Sequence, residues 1–569
     1  MTPPATPPSG LPAGFRADFL ARNLAALGER DGGLVRRLTW PVSEAHVRIE
    51  PGGAALLNWR RAWRRLDLEG EAQGGRIVQR ASIPGTGGVL LGSGLGELVE
   101  SALAESGDAP WIAWERDPWL VRLMLSRVDF SDELSSGRLT LALASDLVPL
   151  ARSLAGGGLA AMELRAHPLL GSIYASELEA LLSGAAGQVA LVAEGELFVD
   201  QIKRALGRRN LIPIPVDLER LSLEELDHTV RTLRPALLFS INYTHGLAEF
   251  CEQRSLPWVC WEVDPSTDEL QPLKTPTRRG HVFTYARRHV SEFKAAGFSS
   301  VHAMPLAADV LDRKPWEEHG PERENYRAQV AFVGASMVQR GRELFEDLVR
   351  RADRAGIAGA RERCEQLLAR QRGPSSAFHL GAWLDREWPE LEAALASTSG
   401  PSARTALGEV AAAEKRLGLV AGLSDFDTQV WGDEGWKLVE THGIRWRGGA
   451  RHQTDLPRIY SSAEVNLDIG RLYQSDIITM RVFDVLACGG LCLTEANEEV
   501  SELFEIGAEL DVYEGAEDLQ RRIRWWLERP LERARVAARG REAVLERHTI
   551  DRRLGVMLGY AFSSESCAA

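Results

Sequence analysis

The sequence predicts an α/β protein of three Rossmann-like domains in tandem, the last of them carrying a helical insertion. Three observations predict it. Short apolar runs (GGVLL, QVALVA, PALLFS, PWVCWE, QVAFV) alternate with amphipathic stretches of roughly ten to fifteen residues, the pattern of strands covered by helices on both faces. Several of these runs end in a glycine turn or an acid and pass straight into a helix, as parallel βα units do. Fresh series of this kind open at Gly87, Gln188 and Gln329, and 569 residues exceed what one hydrophobic core organises.

Composition narrows the function classes. A formal net charge of −13 and a pI near 5.6 argue against a surface that neutralises nucleic-acid phosphates. The six cysteines, at 251, 260, 364, 488, 492 and 567, show no CxxC spacing, so buried thiols in a reducing compartment are expected rather than a zinc site or disulfides. No apolar run approaches the roughly 18–20 residues that span a bilayer, and the N-terminus has no charged-then-apolar signal pattern. A cytoplasmic location, with no nucleic acid and no membrane span among the partners, is the expectation.

Residues 1–14, MTPPATPPSGLPAG, read as a disordered Pro-rich tail, and the first domain as 15–187. Phe15–Arg30 is an amphipathic helix, and Val47–Asn58 and Leu66–Ile83 are short strands and turns. GGVLLGSGLGELVESALAES then gives a strand, a loop with Gly92, Gly94 and Gly96, and a helix; WIAWERDPWLVRLMLS adds a strand ending at Glu115 and another helix. Strand, glycine loop, helix, strand, acid is the order of a nucleotide- or S-adenosylmethionine-type unit, with the acid set for a ribose. The spacing GxGxG falls short of GxGxxG, so a ligand-free structural unit is the other reading. Arg138–Leu143 and Leu159–Leu164 add strands and Pro168–Ser183 a helix.

The second domain, 188–325, runs through strands QVALVAEGEL, LIPIPVD, PALLFSINY, PWVCWEVD and HVFTYA, with helices between, and closes on VHAMPLAAD. Ligands of doubly wound sheets sit beyond the strand C-termini, which points to Asn242–Gly246, Glu262–Asp264 and the loop after Tyr285. Histidine is the side chain whose unperturbed pKa lies near neutrality, so His245 suits a general base or a residue that orients a sugar. Glu262 and Asp264 are a strand-end acid pair, either of which can deprotonate an acceptor hydroxyl; hydrogen bonding to the turn at Pro265 is the bland alternative.

The third domain, 326–569, begins with QVAFVGASMVQRGRELFEDLVRRA: a strand, a loop holding Gly334, and a helix start with Arg340 and Arg342 where phosphate can be received. Ala-, Arg-, Glu- and Leu-rich residues, about 345–422, are a helical insertion between the first and second strands. TQVWGD, IRWRGGA and LPRIYSSAEVNLDIG resume the sheet. Asp433 reads as a turn aspartate. Asp425-Phe426-Asp427 matches a metal-diphosphate DxD, but three-residue matches are common and this one precedes a strand, so no metal is expected. The sheet is completed by Gln474–Tyr513, QSDIITMRVFDVLACGGLCLTEANEEVSELFEIGAELDVY, in which Asp476 and Asp484 stand eight apart with Arg481 between them. Carboxylates accept from ribose hydroxyls and a guanidinium fork holds phosphate oxygens, so this β-α-β unit suits a ribose-diphosphate ligand; a local Arg481–Asp484 ion pair is the alternative.

Phe332–Ser336 with Arg340, then IRWRGG, LPRIYSSAEVNLDI, RVFDVLACGGLCLTE and RHTIDRR, resembles the C-terminal half of CgeB-like glycosyltransferases, which belong with the group-1 GT-B enzymes. INYTHGLAEFCEQRSLPWVCWEVDP and VHAMPLAAD resemble the N-terminal domain paired with it. The resemblance covers about residues 188–560, and the first 187 residues resemble, more weakly, the Rossmann-like domain of motility-accessory proteins linked to flagellin glycosylation. It implies a GT-B pair with a cleft between the last two domains and a nucleotide-diphosphate sugar as donor, bound by the last domain. The acceptor would be a protein or glycan, bound by the middle domain, and no metal is needed. It further implies Asp476 beside the donor sugar, Asp484 on the ribose, Arg481 and Arg340 on the diphosphate, and the Arg445–Gly449 loop at the base. Both acids are Asp where the family pattern has two acids of longer reach. Two other functions stay open on the sequence: an S-adenosylmethionine-dependent methyltransferase working through Gly92–Glu115, and a non-catalytic scaffold for glycan assembly.

Overall fold

A computed structural model describes residues 15–50, 54–66, 75–82, 86–266, 270–317, 320–372, 377–396 and 398–563. The expected tail at 1–14, and residues 564–569 with Cys567, lie outside the described residues. The fold is α/β with several parallel sheets. The chain divides into two compact units: one holds the residues up to Phe283 with Glu292–His302 and the segment from Met557, the other Thr284–Ser291 with Ala303–Val556.

The first unit contains two large sheets and a small antiparallel meander of Val47–Ile49, Ala55–Trp59 and Ala62–Arg65. In the five-stranded sheet Glu163–Ala166, Gly88–Leu91, Trp111–Glu115 and Leu139–Leu143 run parallel, and Arg76–Gln79 pairs antiparallel on the edge. The strand expected at Leu159–Leu164 begins later. Gly156 and Gly157 take left-handed backbone (φ +81° and +109°), a short helix follows at Gly158–Ala161, and pairing starts at Glu163. The six-stranded sheet has the order Leu211–Val216, Gln188–Ala193, Leu237–Ile241, Trp258–Glu262, Thr277–Thr284, Phe298–Ala303. Its central strands Leu237–Ile241 and Trp258–Glu262 are buried along nearly all their length, as strands covered by helices on both faces are.

The second unit is a six-stranded parallel sheet in the order Arg445–Trp446, Thr428–Trp431, Ala328–Val333, Ala463–Leu467, Cys492–Glu495, Asp511–Tyr513. Five helices between Val338 and Ala421 separate its first two strands in sequence, as the composition of that stretch predicts. The first of them, Val338–Arg354, is the crossover helix itself, and the last, Ala403–Ala421, is capped by Ser402, whose hydroxyl accepts from Thr405 N at 3.0 Å. Leu348, Cys364, Leu380, Leu384 and Trp388 give the insertion its own core. The five described cysteines are buried and unpaired. Among the described residues no helix is long and apolar enough to cross a membrane.

Candidate functional site

The second unit gathers a cationic cluster where its central strands end. Beyond Val333 both backbone groups of Gly334 are engaged: Gly334 N donates to Trp431 O at 2.9 Å and Trp436 Nε1 donates to Gly334 O at 2.8 Å. Ser336 N donates to Asp433 Oδ2 at 2.7 Å, and its hydroxyl bonds the same carboxylate. Asp433 also caps the 3₁₀ helix Glu434–His442 by accepting from Gly435 N at 2.9 Å. Met337 is left-handed (φ +66°), and from it the helix Val338–Arg354 departs with its first amides beside this loop.

Arg481, in the first turn of the helix Met480–Ala487, lies against that loop. Its Nε donates to Val333 O at 2.5 Å, its guanidinium packs 4.7 Å from the Phe332 ring, and a Cβ built on Gly334 would stand 2.5 Å from Nη2. Glycine is therefore required at 334 for the arginine to approach. The charge of Arg481 is met by Asp468, at the end of the Ala463–Leu467 strand, not by Asp484. Asp468 is buried and saturated: Thr479 Oγ1 donates to Oδ1 at 2.7 Å and Thr494 Oγ1 to Oδ2 at 2.9 Å. A second arginine, Arg416 from the Ala403–Ala421 helix, donates Nη1 to Ala335 O at 2.7 Å and Nη2 to Ile469 O at 3.1 Å. Burial, with Arg481 nearby, lowers its pKa to about 10, so it stays charged at neutral pH. Lys415 pairs with Glu495 at 2.6 Å, and Glu495 accepts from Gly470 N at 3.0 Å.

The other expected residues of this unit take varied places. Arg340 and Arg342 are exposed on the Val338–Arg354 helix, and neither has an ion-pair partner among the described residues. Asp476 is half-exposed and paired with Arg288. Asp484 is enclosed, with Arg313 Nε 2.9 Å from its Oδ2 as an ion pair off the line of a hydrogen bond. Burial raises the Asp484 carboxyl and Arg313 opposes that rise. A ribose hydroxyl reaches it only if that pair opens. Arg445 turns to Asp427, which precedes the Thr428–Trp431 strand, so its guanidinium points to the end of the sheet opposite Gly334. Of the DxD acids, Asp427 is thus paired with Arg445, and Asp425 with Arg524 at 2.9 Å. Among the described residues no group of three or more His, Cys, Asp or Glu is set to hold a metal ion.

In the first unit the glycine loop is filled by protein. A Cβ on Gly92 would meet Leu170 Cβ at 2.9 Å and His167 Cβ at 3.1 Å, and one on Gly96 would meet Met124 and Val128, both at 3.1 Å. Gly94 shares the left-handed backbone of the loop. Glu115 is fully buried and accepts from Ser93 N at 2.9 Å, Asp117 N at 3.1 Å and the Tyr174 hydroxyl; burial raises its pKa. The next residue, Arg116, bridges Glu177 at 2.8 Å and Glu194 at 3.1 Å, joining the ligand-side ends of the two large sheets through a buried network that includes Lys203. Glu115 is thus already engaged by protein donors, and Gly92 and Gly96 each have a packing reason to be glycine.

At the six-stranded sheet His245 is exposed, its Nδ1 3.4 Å from the Tyr243 hydroxyl, on the rim of a groove floored by Leu221, Leu226 and Phe250. Glu262 is buried and accepts from Ser266 N at 3.1 Å and Ser266 Oγ at 3.0 Å, so it serves the turn around Pro265. Asp264 is exposed; Asn242, left-handed at φ +62°, accepts from Val263 N at 2.8 Å and Asp264 N at 3.1 Å and fixes the two strand ends together.

Sequence reasoning missed Asp468, Arg416 and the Ser336–Asp433 pair. Asp468 carried a usable signal, an acid directly after an apolar parallel strand. Arg416 carried none, since its place depends on which loop an Ala-rich helix happens to cross.

No curated protein sequence matches the chain at a significant level. Among solved structures it is similar to a glycosyltransferase from Rickettsia africae (9% identity, TM-score 0.43, covering 67% of this chain and 99% of that one). It is similar also to sucrose-phosphate synthase from Thermosynechococcus elongatus (11%, 0.41, 67% and 100%) and to Anabaena HepE in complex with UDP-glucose (11%, 0.40, 66% and 99%). Residues 410–559 match the model of the glycosyl transferase-like family, and that stretch holds Arg416, Asp468, Arg481 and the last five strands of the second unit's sheet.

Proposed function

We propose that the protein is a GT-B glycosyltransferase that moves a sugar from a nucleotide-diphosphate donor to a protein or glycan acceptor, without a metal ion. The reading rests on one observation above the others: Arg481 lies against the bare backbone of Gly334, at the turn between the first strand of a parallel sheet and its crossover helix. A diphosphate arriving there meets a guanidinium fork and helix amides already fixed in direction, and its developing negative charge in the transition state is stabilised without reorganisation. The likeness of residues 410–559 to a glycosyl transferase-like family supports it, and a UDP-glucose complex exists for a protein of similar architecture. The finer assignment to CgeB-like enzymes follows from the motifs of the C-terminal half.

In this reading Arg481, with Arg340 at the helix start, receives the diphosphate. Asp476 faces the donor sugar and Asp484 the ribose, each given up by its arginine, Arg288 and Arg313, as the donor enters. His245, exposed at a strand end of the first unit, is assigned as acceptor base, with Asp264 as the alternative carboxylate. Glu262 is assigned to the turn. The test is to incubate the protein with a mixture of nucleotide sugars and identify which is hydrolysed or retained. Retention of one that Arg481→Ala abolishes is expected; no retention and no hydrolysis of any would overturn the reading.

A further inference from the structure

Charge accounting at the cluster singles out one side chain. Arg481 is matched by Asp468, Lys415 by Glu495 at 2.6 Å, and Arg471 stands 3.9 Å from Glu409. Arg416 is 7% exposed, yet no carboxylate stands within ion-pair distance of it among the described residues. Two of its donors go to neutral carbonyls, Ala335 O and Ile469 O, and its buried Nε has no partner. Asp468 and Glu409 act on it only from beyond contact, and a buried cation with no carboxylate in contact is costly to keep and favours an arriving anion. The side of Arg416 that carries the Ala335 bond borders the loop between Gly334 and the Val338–Arg354 helix, and Ala335 itself is exposed, so that anion has a route to it.

We propose that Arg416, supplied by the helical insertion, joins Arg481 in holding the donor diphosphate and is the buried cation of the site with no carboxylate in contact. This rests on the glycosyltransferase reading and deepens it: the insertion becomes part of the donor site, since its last helix brings that cation. The guanidinium also ties the loop at Ala335 to the loop at Ile469, so anion binding and the spacing of these two loops are coupled through one residue.

The experiment titrates the full chain with UDP, GDP and ADP and with the matching monophosphates, using the unaltered protein, Arg416→Gln and Arg416→Lys. With whichever base binds, Arg416→Gln should weaken the diphosphate by about tenfold or more, the size of a lost charge-assisted contact, and weaken the monophosphate less. Arg416→Lys keeps the charge and should recover part of the difference. A tether with no anion role would shift the thermal unfolding of the free protein yet leave the diphosphate-to-monophosphate affinity ratio unchanged in both variants, and that result would overturn the proposal. Failure of the unaltered chain to bind any of the diphosphates overturns instead the reading on which it rests.

Discussion

Asp468→Asn tests the architecture of the cluster with the fold as readout. The substitution keeps the shape of the side chain and removes its charge. It leaves Arg481, whose side chain is 14% exposed, facing a neutral amide while Thr479 and Thr494 compete for one remaining acceptor oxygen. Removing one partner of a buried ion pair costs about 3–5 kcal/mol, because the other charge stays desolvated. Arg481 keeps its bond to Val333 O and its packing on Phe332, so the lower end, about 3 kcal/mol, is expected. At about 2–4 °C per kcal/mol for a unit of this size, the transition of the second unit should fall by roughly 6–12 °C in scanning calorimetry. Adding Arg481→Met removes the stranded cation and should recover part of that loss, with a coupling of about 1–3 kcal/mol. A single variant melting within about 1 °C of the unaltered protein, or strictly additive effects, would refute the reasoning.

Three further outcomes follow from the same structure. Gly334→Ala puts a Cβ 2.5 Å from Arg481 Nη2, so the guanidinium must swing away from the loop that would hold the diphosphate; diphosphate affinity by calorimetric titration should drop by up to about tenfold, the size of one charged contact from Arg481. Gly540→Ala, inside the helix Pro530–Arg547, sets a Cβ 2.1 Å from Glu509 O and 2.7 Å from Leu486 Cδ2. Overpacking against backbone, about 1–3 kcal/mol, should outweigh the roughly 1 kcal/mol by which Ala favours a helix over Gly, so urea unfolding shifts to lower midpoint. His548 is buried and held neutral, accepting from Arg553 Nη2 at 2.9 Å with Nε2 3.2 Å from Leu503 O, and burial lowers its pKa to about 4. The unfolded chain binds this proton near the ordinary value of about 6.5, so stability is complete above that pH and falls by about 3 kcal/mol as pH drops to about 4. His548→Gln should flatten that slope in denaturant titrations at stepped pH.

The parallel sheets were legible because each strand is an apolar run with its own punctuation, and Gln474–Tyr513 was read correctly as helix, Gly-Gly turn and strand: Met480–Ala487, Gly489–Gly490, Cys492–Glu495. Arg481 was legible for the same reason, being a lone cation in an apolar helix start. Partnerships were not. The alternative reading of a local Arg481–Asp484 pair gives way to Arg481–Asp468 and Asp484–Arg313, because the opposite sides of a short helix face different neighbours, and those neighbours come from 13 and 171 positions away (481 − 468 and 484 − 313). Asp433 is a turn aspartate as read, but the turn it makes also grips Ser336, 97 positions earlier, which no local pattern reveals. At Gly92 and Glu115 the partners Leu170, His167, Ser93 and Tyr174 were likewise not legible, because they come from distant stretches or from side chains no local pattern marks.

These partnerships also explain why charge in the sequence and charge at the site diverge. The chain carries a net −13, and around Gly334 the described cations Arg416, Arg471, Arg481 and Lys415 face Glu409, Asp433, Asp468 and Glu495, four against four. An anion therefore gains little from the protein as a whole and depends on short-range contacts in a partly desolvated setting, where effective interactions are several times stronger than in bulk water. Within that setting a cation already paired contributes less than one that is not, since its field is largely cancelled at the distance of a bound phosphate. The cation with no carboxylate in contact is Arg416, and it sits on the insertion that separates the first two strands of the sheet. A diphosphate reaching Gly334 would thus be held by the fold's own turn and discriminated by what the insertion adds.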